Sequence, residues 1–268
     1  MFLINTRKNT DDGRYFSSSD GLSWFENGQK PISVKQQNVF QACKGQNILF
    51  LIHGFNNPLQ DIFQEYKLIN KQLNRFAQST YDVIIGFIWP GGVSEFDYFR
   101  AKVNTGEAGK RLHHWLQKLS VISNAVDVIG HSMAAQVGKM ALRESGDIKI
   151  RNIYSMGAAI NTNQSYGSDD FKSVVQACEQ LFVFFTSNDR ILKYAYRLIE
   201  WHNPVGYTGP NLGLLNGDAA HKVRLVDCSN IIADHTGYIR SPEVFQFIGN
   251  SLQEEYENAQ LRGLEPLC

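Results

Sequence analysis

Ala125-Val126-Asp127-Val128-Ile129-Gly130-His131-Ser132-Met133-Ala134 is the stretch on which the fold turns. Ala125 to Ile129 forms a short, mostly apolar strand closing on Gly130, and the apolar spacing that follows predicts a helix from Met133 to Glu144. Between them Ser132 stands at the apex of a sharp strand-to-helix turn. Such a turn holds its serine in a strained conformation, so the residues two before and two after must be small. Gly130 meets that demand in full, and Ala134 departs from glycine by a single methyl. Alone, the Gly-x-Ser-x-small pattern is a weak signal, and a plain N-cap serine also satisfies it. Placed between an apolar strand and an amphipathic helix it becomes specific.

The same rhythm extends on both sides. Ile48 to Ile52 is a continuous apolar run ending in His53-Gly54, the pattern of a strand buried on both faces of a parallel sheet. A helix is predicted after Pro58 to about Phe76, a buried strand from Tyr81 to Trp89, and a helix from Phe96 to Leu119. Beyond the serine come strands at Ile148 to Met156, Leu181 to Thr186 and Val223 to Val226, with helices at Phe171 to Cys178 and Ser241 to Tyr256. This alternation predicts an α/β fold over residues 1–268 as one domain, its mostly parallel central sheet flanked by helices on both faces. Residues 1–45 differ. Met1 to Asn5, Arg14 to Ser17 and Leu22 to Phe25 are β-leaning pieces broken by Asp-Asp-Gly, Ser-Asp-Gly and Asn-Gly turns, which predicts antiparallel N-terminal strands extending the sheet. A stretch rich in aromatics and glycine, about 190–220, interrupts the alternation and is a candidate lid.

Composition narrows the function classes. The 268 residues carry 26 Lys+Arg against 26 Asp+Glu, with 43% hydrophobic and 19% charged residues. Those are the proportions of an ordinary globular protein. Zero net charge argues against a partner such as nucleic acid, or an anionic membrane, bound through bulk charge, and leaves room for a local basic patch. Cysteines 43, 178, 228 and 268 form no Cys-x-x-Cys pair, so no zinc framework is in view. Met1 to Asn5 is too short for a signal-peptide core, and no run approaches the ~18 apolar residues of a membrane span. The expectation is a cytoplasmic chain without integral membrane association; export without a cleaved signal would leave no trace in the sequence.

In an open parallel sheet, chemistry collects beyond the carboxyl ends of the strands. A serine, an acid and a histidine appear there in the order Ser132, Asp189, His235. His235 follows the last strand in a loop free to bring its ring onto a serine as general base. His131 adjoins the serine and points away, His113 and His114 sit on a helix, His53 borders a loop, and His202 and His221 fall near the irregular stretch. Asp189, in a Ser-Asn-Asp-Arg turn, is the acid of choice to fix the histidine tautomer, with Asp227 and Asp234 as rivals and helix capping as its plainer role. The strand exit at His53-Gly54-Phe55 is either a plain exit turn or the place where the amides of Phe55 and Met133 would converge on one developing oxyanion, an arrangement whose single donors are worth ~3 kcal/mol. Trp89, Tyr98 and Tyr194 belong to aromatic segments that border an apolar, acyl-accepting cleft, or simply pack the core. No Gly-x-Gly-x-x-Gly turn, P-loop spacing or His-Glu-x-x-His motif calls for a cofactor or metal.

Together these residues resemble the α/β-hydrolase superfamily. The His53-Gly54-Phe55-Asn56 turn, the Trp89-Pro90 strand end, Gly130-His131-Ser132-Met133, Thr186 to Arg190 and His235 are most similar to a bacterial branch of unknown function, over roughly residues 46–250. That branch continues His-Ser-Met with Gly-Asn, where this chain has Ala134-Ala135. The resemblance implies an eight-stranded-type sheet and a triad of Ser132, Asp189 and His235. The expected activity is cofactor-free serine hydrolysis of carboxylic esters, esterase- or lipase-like, on a small acyl-ester or lipid substrate. The alternative is a hydrolase-fold interaction module whose site is vestigial.

Overall fold

The apolar runs become neighbouring strands of one sheet in the computed structural model, which describes residues 1–8, 13–26, 29–78, 80–143, 146, 148–161, 169–209, 221–252 and 264–266. The strands are β1 (Phe2–Arg7), β2 (Phe16–Trp24), β3 (Ile32–Ser33), β4 (Asn47–Ile52), β5 (Val83–Ile88), β6 (Ala125–His131), β7 (Ile150–Met156), β8 (Cys178–Phe185), β9 (Val223–Asp227) and β10 (Leu264–Pro266). Their order across the sheet is β10-β9-β8-β7-β6-β4-β5-β1-β2-β3. From β10 to β1 every pairing is parallel; only β1–β2 and β2–β3 are antiparallel.

A continuous apolar strand suits this sheet because both of its faces are covered. On β4, Ile48, Phe50 and Ile52 join one core and the alternate Leu49 and Leu51 the other. The first core lies under α1 (Gln36–Cys43), α3 (Tyr98–Ile122), α4 (Ala134–Leu142) and α5 (Asp169–Ala177). The second lies under α2 (Leu59–Phe76) and α9 (Pro242–Ser251). Helix α2 has Asp61 in its first turn and Arg75 in its last, matching the helix dipole. Helix α9 starts on Ser241, whose hydroxyl accepts from the Val244 amide, with Pro242 just inside. Four short helical pieces follow β8: Ile191–Tyr196, wound as a π-helix, runs into α6 (Arg197–Glu200), then come α7 (Val205–Thr208) and, after β9, α8 (Gly237–Arg240).

The N-terminal segment departs from expectation in two places. Ser19-Asp20-Gly21 does not end a strand; β2 continues through it with a bulge, Gly21 lying opposite Asn5 and Phe16 opposite Arg7. The reason is tertiary: the Asp20 carboxylate takes Arg111 Nη1 at 2.9 Å and the Trp115 indole N–H at 2.8 Å, so it anchors α3 to the sheet. Helix α1 also stands inside the stretch expected to be β-rich, its Val39 and Cys43 fully covered. Residues 210–220 of the candidate lid, residues 253–256 of the helix expected to reach Tyr256, and Cys268 lie outside the described residues.

Candidate active site

Four strand ends converge. At the end of β6, Ser132 takes φ 58°, the left-handed region that a side chain rarely enters without compensation. Its amide donates to the Met156 carbonyl (2.9 Å) and its carbonyl accepts from the Ala159 amide (3.1 Å), so the strained turn is pinned to the end of β7. The small neighbours are needed. A Cβ on Gly130 would lie 3.2 Å from the Ala134 methyl, and one on Gly54 would lie 3.1 Å from both the His131 carbonyl oxygen and Ser132 Cβ.

The Ser132 hydroxyl lies 2.9 Å from His235 Nε2, and His235 Nδ1 lies 2.5 Å from Asp189 Oδ2. Asp189 is fully buried, and Ser132 and His235 are each 8% exposed. The second carboxylate oxygen of Asp189 accepts the Leu192 amide at 2.9 Å. A carboxylate can only accept, so Nδ1 carries the ring proton and the Nε2 lone pair faces the hydroxyl. Asp227 and Asp234 are engaged elsewhere: Asp227 caps Ser229, and Asp234 pairs with Arg240 at 2.8 Å.

What holds the acid and the histidine in register is a set of stitches that sequence reasoning missed. Thr186 Oγ1 donates to the Ile232 carbonyl (3.0 Å), and Asn188 Nδ2 donates to the carbonyls of Ser229 (2.7 Å) and Ile232 (3.0 Å). The turn after β8 is thereby sewn to the loop after β9. A Ser/Asn/Thr-rich strand exit was the available signal, but its partners lie more than forty residues away.

Two of the other histidines are structural. His53 Nδ1–H donates to the Gly54 carbonyl (2.8 Å), and its Nε2 accepts the Trp89 amide (3.1 Å), joining the ends of β4 and β5. Burial, with Arg7 adding, holds its pKa well below the ordinary histidine value. His131 turns away from Ser132, and burial and then the nearby His235 push its pKa down to about 3.

Among the described residues the amides of Phe55 and Met133 donate to no acceptor, and Gly54, which precedes Phe55, lies close against Ser132 Cβ. Of the aromatic residues, Tyr98 borders this loop, its ring edge-on to Phe55 at 5.4 Å. Trp89 does not face a cleft: it is fully buried, stacked on His53, with its indole N–H on the His53 carbonyl (2.9 Å). Tyr194 is 58% exposed at the outer surface. A small apolar cavity of about 60 Å³ lies behind the turn, against Gly130, Ala134, Ala135 and Gly138, and neither Ser132 nor His235 lines it.

The sequence profile of a family described as "Alpha/beta hydrolase of unknown function (DUF900)" matches residues 33–251. The chain belongs to this α/β-hydrolase family. Comparison with curated proteins found no match. Among solved structures, the DUF900 chain is similar to Est1E from Butyrivibrio proteoclasticus (TM-score 0.46, 12% identity, covering 78% of this chain and 89% of that one). It is also similar to a chain described under LipS and LipT, two metagenome-derived lipolytic enzymes (0.48, 11%, 79% and 95%). A third is the esterase Pf2001 of Pyrococcus furiosus (0.45, 14%, 94% and 88%). The sheet described above and the family match carry the fold; these distant likenesses are not needed for it. Among the described residues, no helix is long and apolar enough to cross a membrane.

Proposed function

We propose that this α/β hydrolase cleaves carboxylic esters through an acyl-enzyme on Ser132. The observation that carries the reading is the unbroken line Ser132–His235–Asp189, buried and set on a left-handed turn at the carboxyl edge of the sheet. Ser132 Oγ attacks the ester carbonyl carbon while its proton passes to His235 Nε2. Asp189 holds the Nδ1 proton and offsets the charge of the imidazolium. The amides of Phe55 and Met133 receive the developing oxyanion. Collapse breaks the carbonyl–alkoxy bond, and Nε2–H protonates the departing alcohol. Water, deprotonated by His235, then attacks the acyl carbon; the carboxylic acid leaves and Ser132 regains its proton. Tyr98, beside Phe55, contributes an aromatic wall for the acyl group.

The test is a fluorophosphonate probe with intact-mass readout on the wild type, Ser132→Ala and His235→Ala. One adduct on the wild type and none on either variant is expected. A folded wild type that stays unlabelled, with and without detergent, overturns the reading and favours a hydrolase fold used for binding.

A further inference from the structure

Seven of the twelve large apolar side chains exposed among the described residues fall in two short segments, Phe96 to Val103 and Tyr194 to Trp201. On α3 and the turn before it, Phe96, Phe99 and Val103 are 97%, 69% and 78% exposed. Their spacing puts them on one helical face, opposite the buried Ala101, Thr105 and Ala108. In the helical stretch after β8, Tyr194, Leu198 and Trp201 repeat the arrangement at 58%, 74% and 85%. Trp201 ends that stretch at φ 59°, a left-handed position unusual for so large a residue. The two ridges are clasped together. Glu200 accepts from the Tyr98 hydroxyl (2.9 Å) and pairs with Lys102 (2.6 Å). Each ridge is also tied to the site, one through Tyr98 against Phe55, the other through the Leu192 amide on Asp189.

Charge distinguishes the occupant. Within these segments the carboxylates of Asp97 and Glu200 are taken by Arg14 and Lys102. Arg100, Arg190 and Arg197 stand exposed beside the ridges, against the single exposed carboxylate Glu95. Aromatic and aliphatic side chains interleaved with arginines match the headgroup level of an anionic lipid surface.

We infer that the Phe96–Val103 and Tyr194–Trp201 ridges dock the protein on an anionic phospholipid surface. That the site then draws its ester from the surface rests on the function proposed above; the docking itself does not.

The full chain, as wild type and as Ser132→Ala, is mixed with vesicles of phosphatidylcholine plus phosphatidylglycerol, and with phosphatidylcholine alone. Co-sedimentation and tryptophan emission are followed. Trp24, Trp89 and Trp115 are far more covered than Trp201, so a shift to shorter wavelength reports on Trp201. Both proteins are expected to bind the anionic vesicles with that shift. Trp201→Phe should still sediment but lose the shift. Phe99→Ser with Trp201→Ser should lower partitioning by about tenfold or more, and Arg190→Glu with Arg197→Glu should remove the anionic preference. Absence of wild-type binding overturns the inference. So does binding indifferent to Phe99→Ser with Trp201→Ser, or self-association abolished by that pair without vesicle binding. A chain that binds vesicles but resists the fluorophosphonate keeps the docking and loses only the chemistry.

Discussion

His131 Nε2–H donates to the backbone carbonyl of His235 across 2.8 Å, and the two rings lie 4.7 Å apart. The residue next to the candidate nucleophile therefore fixes the loop that carries the candidate base. Neutrality matters as well, since a cation at that distance would oppose an imidazolium on His235. His131→Ala should slow fluorophosphonate labelling of Ser132 by about ten- to a hundredfold, by letting His235 drift. His131→Gln, which keeps an N–H donor, should recover part of the rate. Equal rates in all three proteins would remove His131 from the positioning of His235.

Acid should find the same histidines. His53 and His131 are both held neutral by burial, their pKa values below the ordinary 6.5. A lowered folded-state pKa means the unfolded chain binds the proton first. Stability is then complete above pH 6.5 and lost as pH falls below it, by about 1.4 kcal/mol per pH unit for each histidine. Urea midpoints across this range should fall less steeply in His131→Gln than in the wild type. Parallel slopes would show that His131 is accessible to protons in the folded state.

Far from the serine, at the other end of β6, Asp127 is fully buried and fully used. It takes Tyr81 Oη at 2.7 Å, Arg151 through both nitrogens at 3.0 and 2.7 Å, and the Asn152 amide at 2.9 Å. Asp127→Ala leaves Arg151 without its counter-charge and should destabilise by about 3–5 kcal/mol. At a temperature where the variant is still folded, the labelling rate of Ser132 should match the wild type. A large rate change in the folded variant would contradict this separation of frame from site.

Gly54→Ala tests the opposite case, function without frame. The added methyl meets the His131 carbonyl and Ser132 Cβ at 3.1 Å, so the loop or the turn must shift by a few tenths of an ångström. Labelling of Ser132 should slow by about tenfold or more, with a modest loss of thermal stability. Unchanged labelling would place the Phe55 amide outside the reaction.

Much of this was legible in the order of residues, for physical reasons. Strands such as β4 and β6 are buried on both faces, so their apolar runs are unbroken, and the serine turn tolerates only small neighbours at 130 and 134. Local chemistry misled where distant partners decide. Asp20 belongs to a turn triplet, yet Arg111 and Trp115, some ninety residues away, hold it in a strand. Helix α1 covers the sheet with little more than Val39 and Cys43, too few apolar positions to declare a period. The packing of Trp89 on His53, the reach of His131 to His235 and the stitches from Thr186 and Asn188 are all long-range, and single-residue identity carries no mark of them.

The place of β1 has a consequence in time. Residues 2–7 leave the ribosome well before the parallel neighbour they lie against, β5, which starts at residue 83. At roughly 5–20 residues per second that is a wait of roughly 4–15 s. During it, Phe2, Leu3 and Ile4 have only the β2 hairpin for company, and a two-stranded ribbon is marginal alone. The newborn chain must therefore keep an apolar strand out of trouble until its slot exists, which makes β1 a natural foothold for a chaperone.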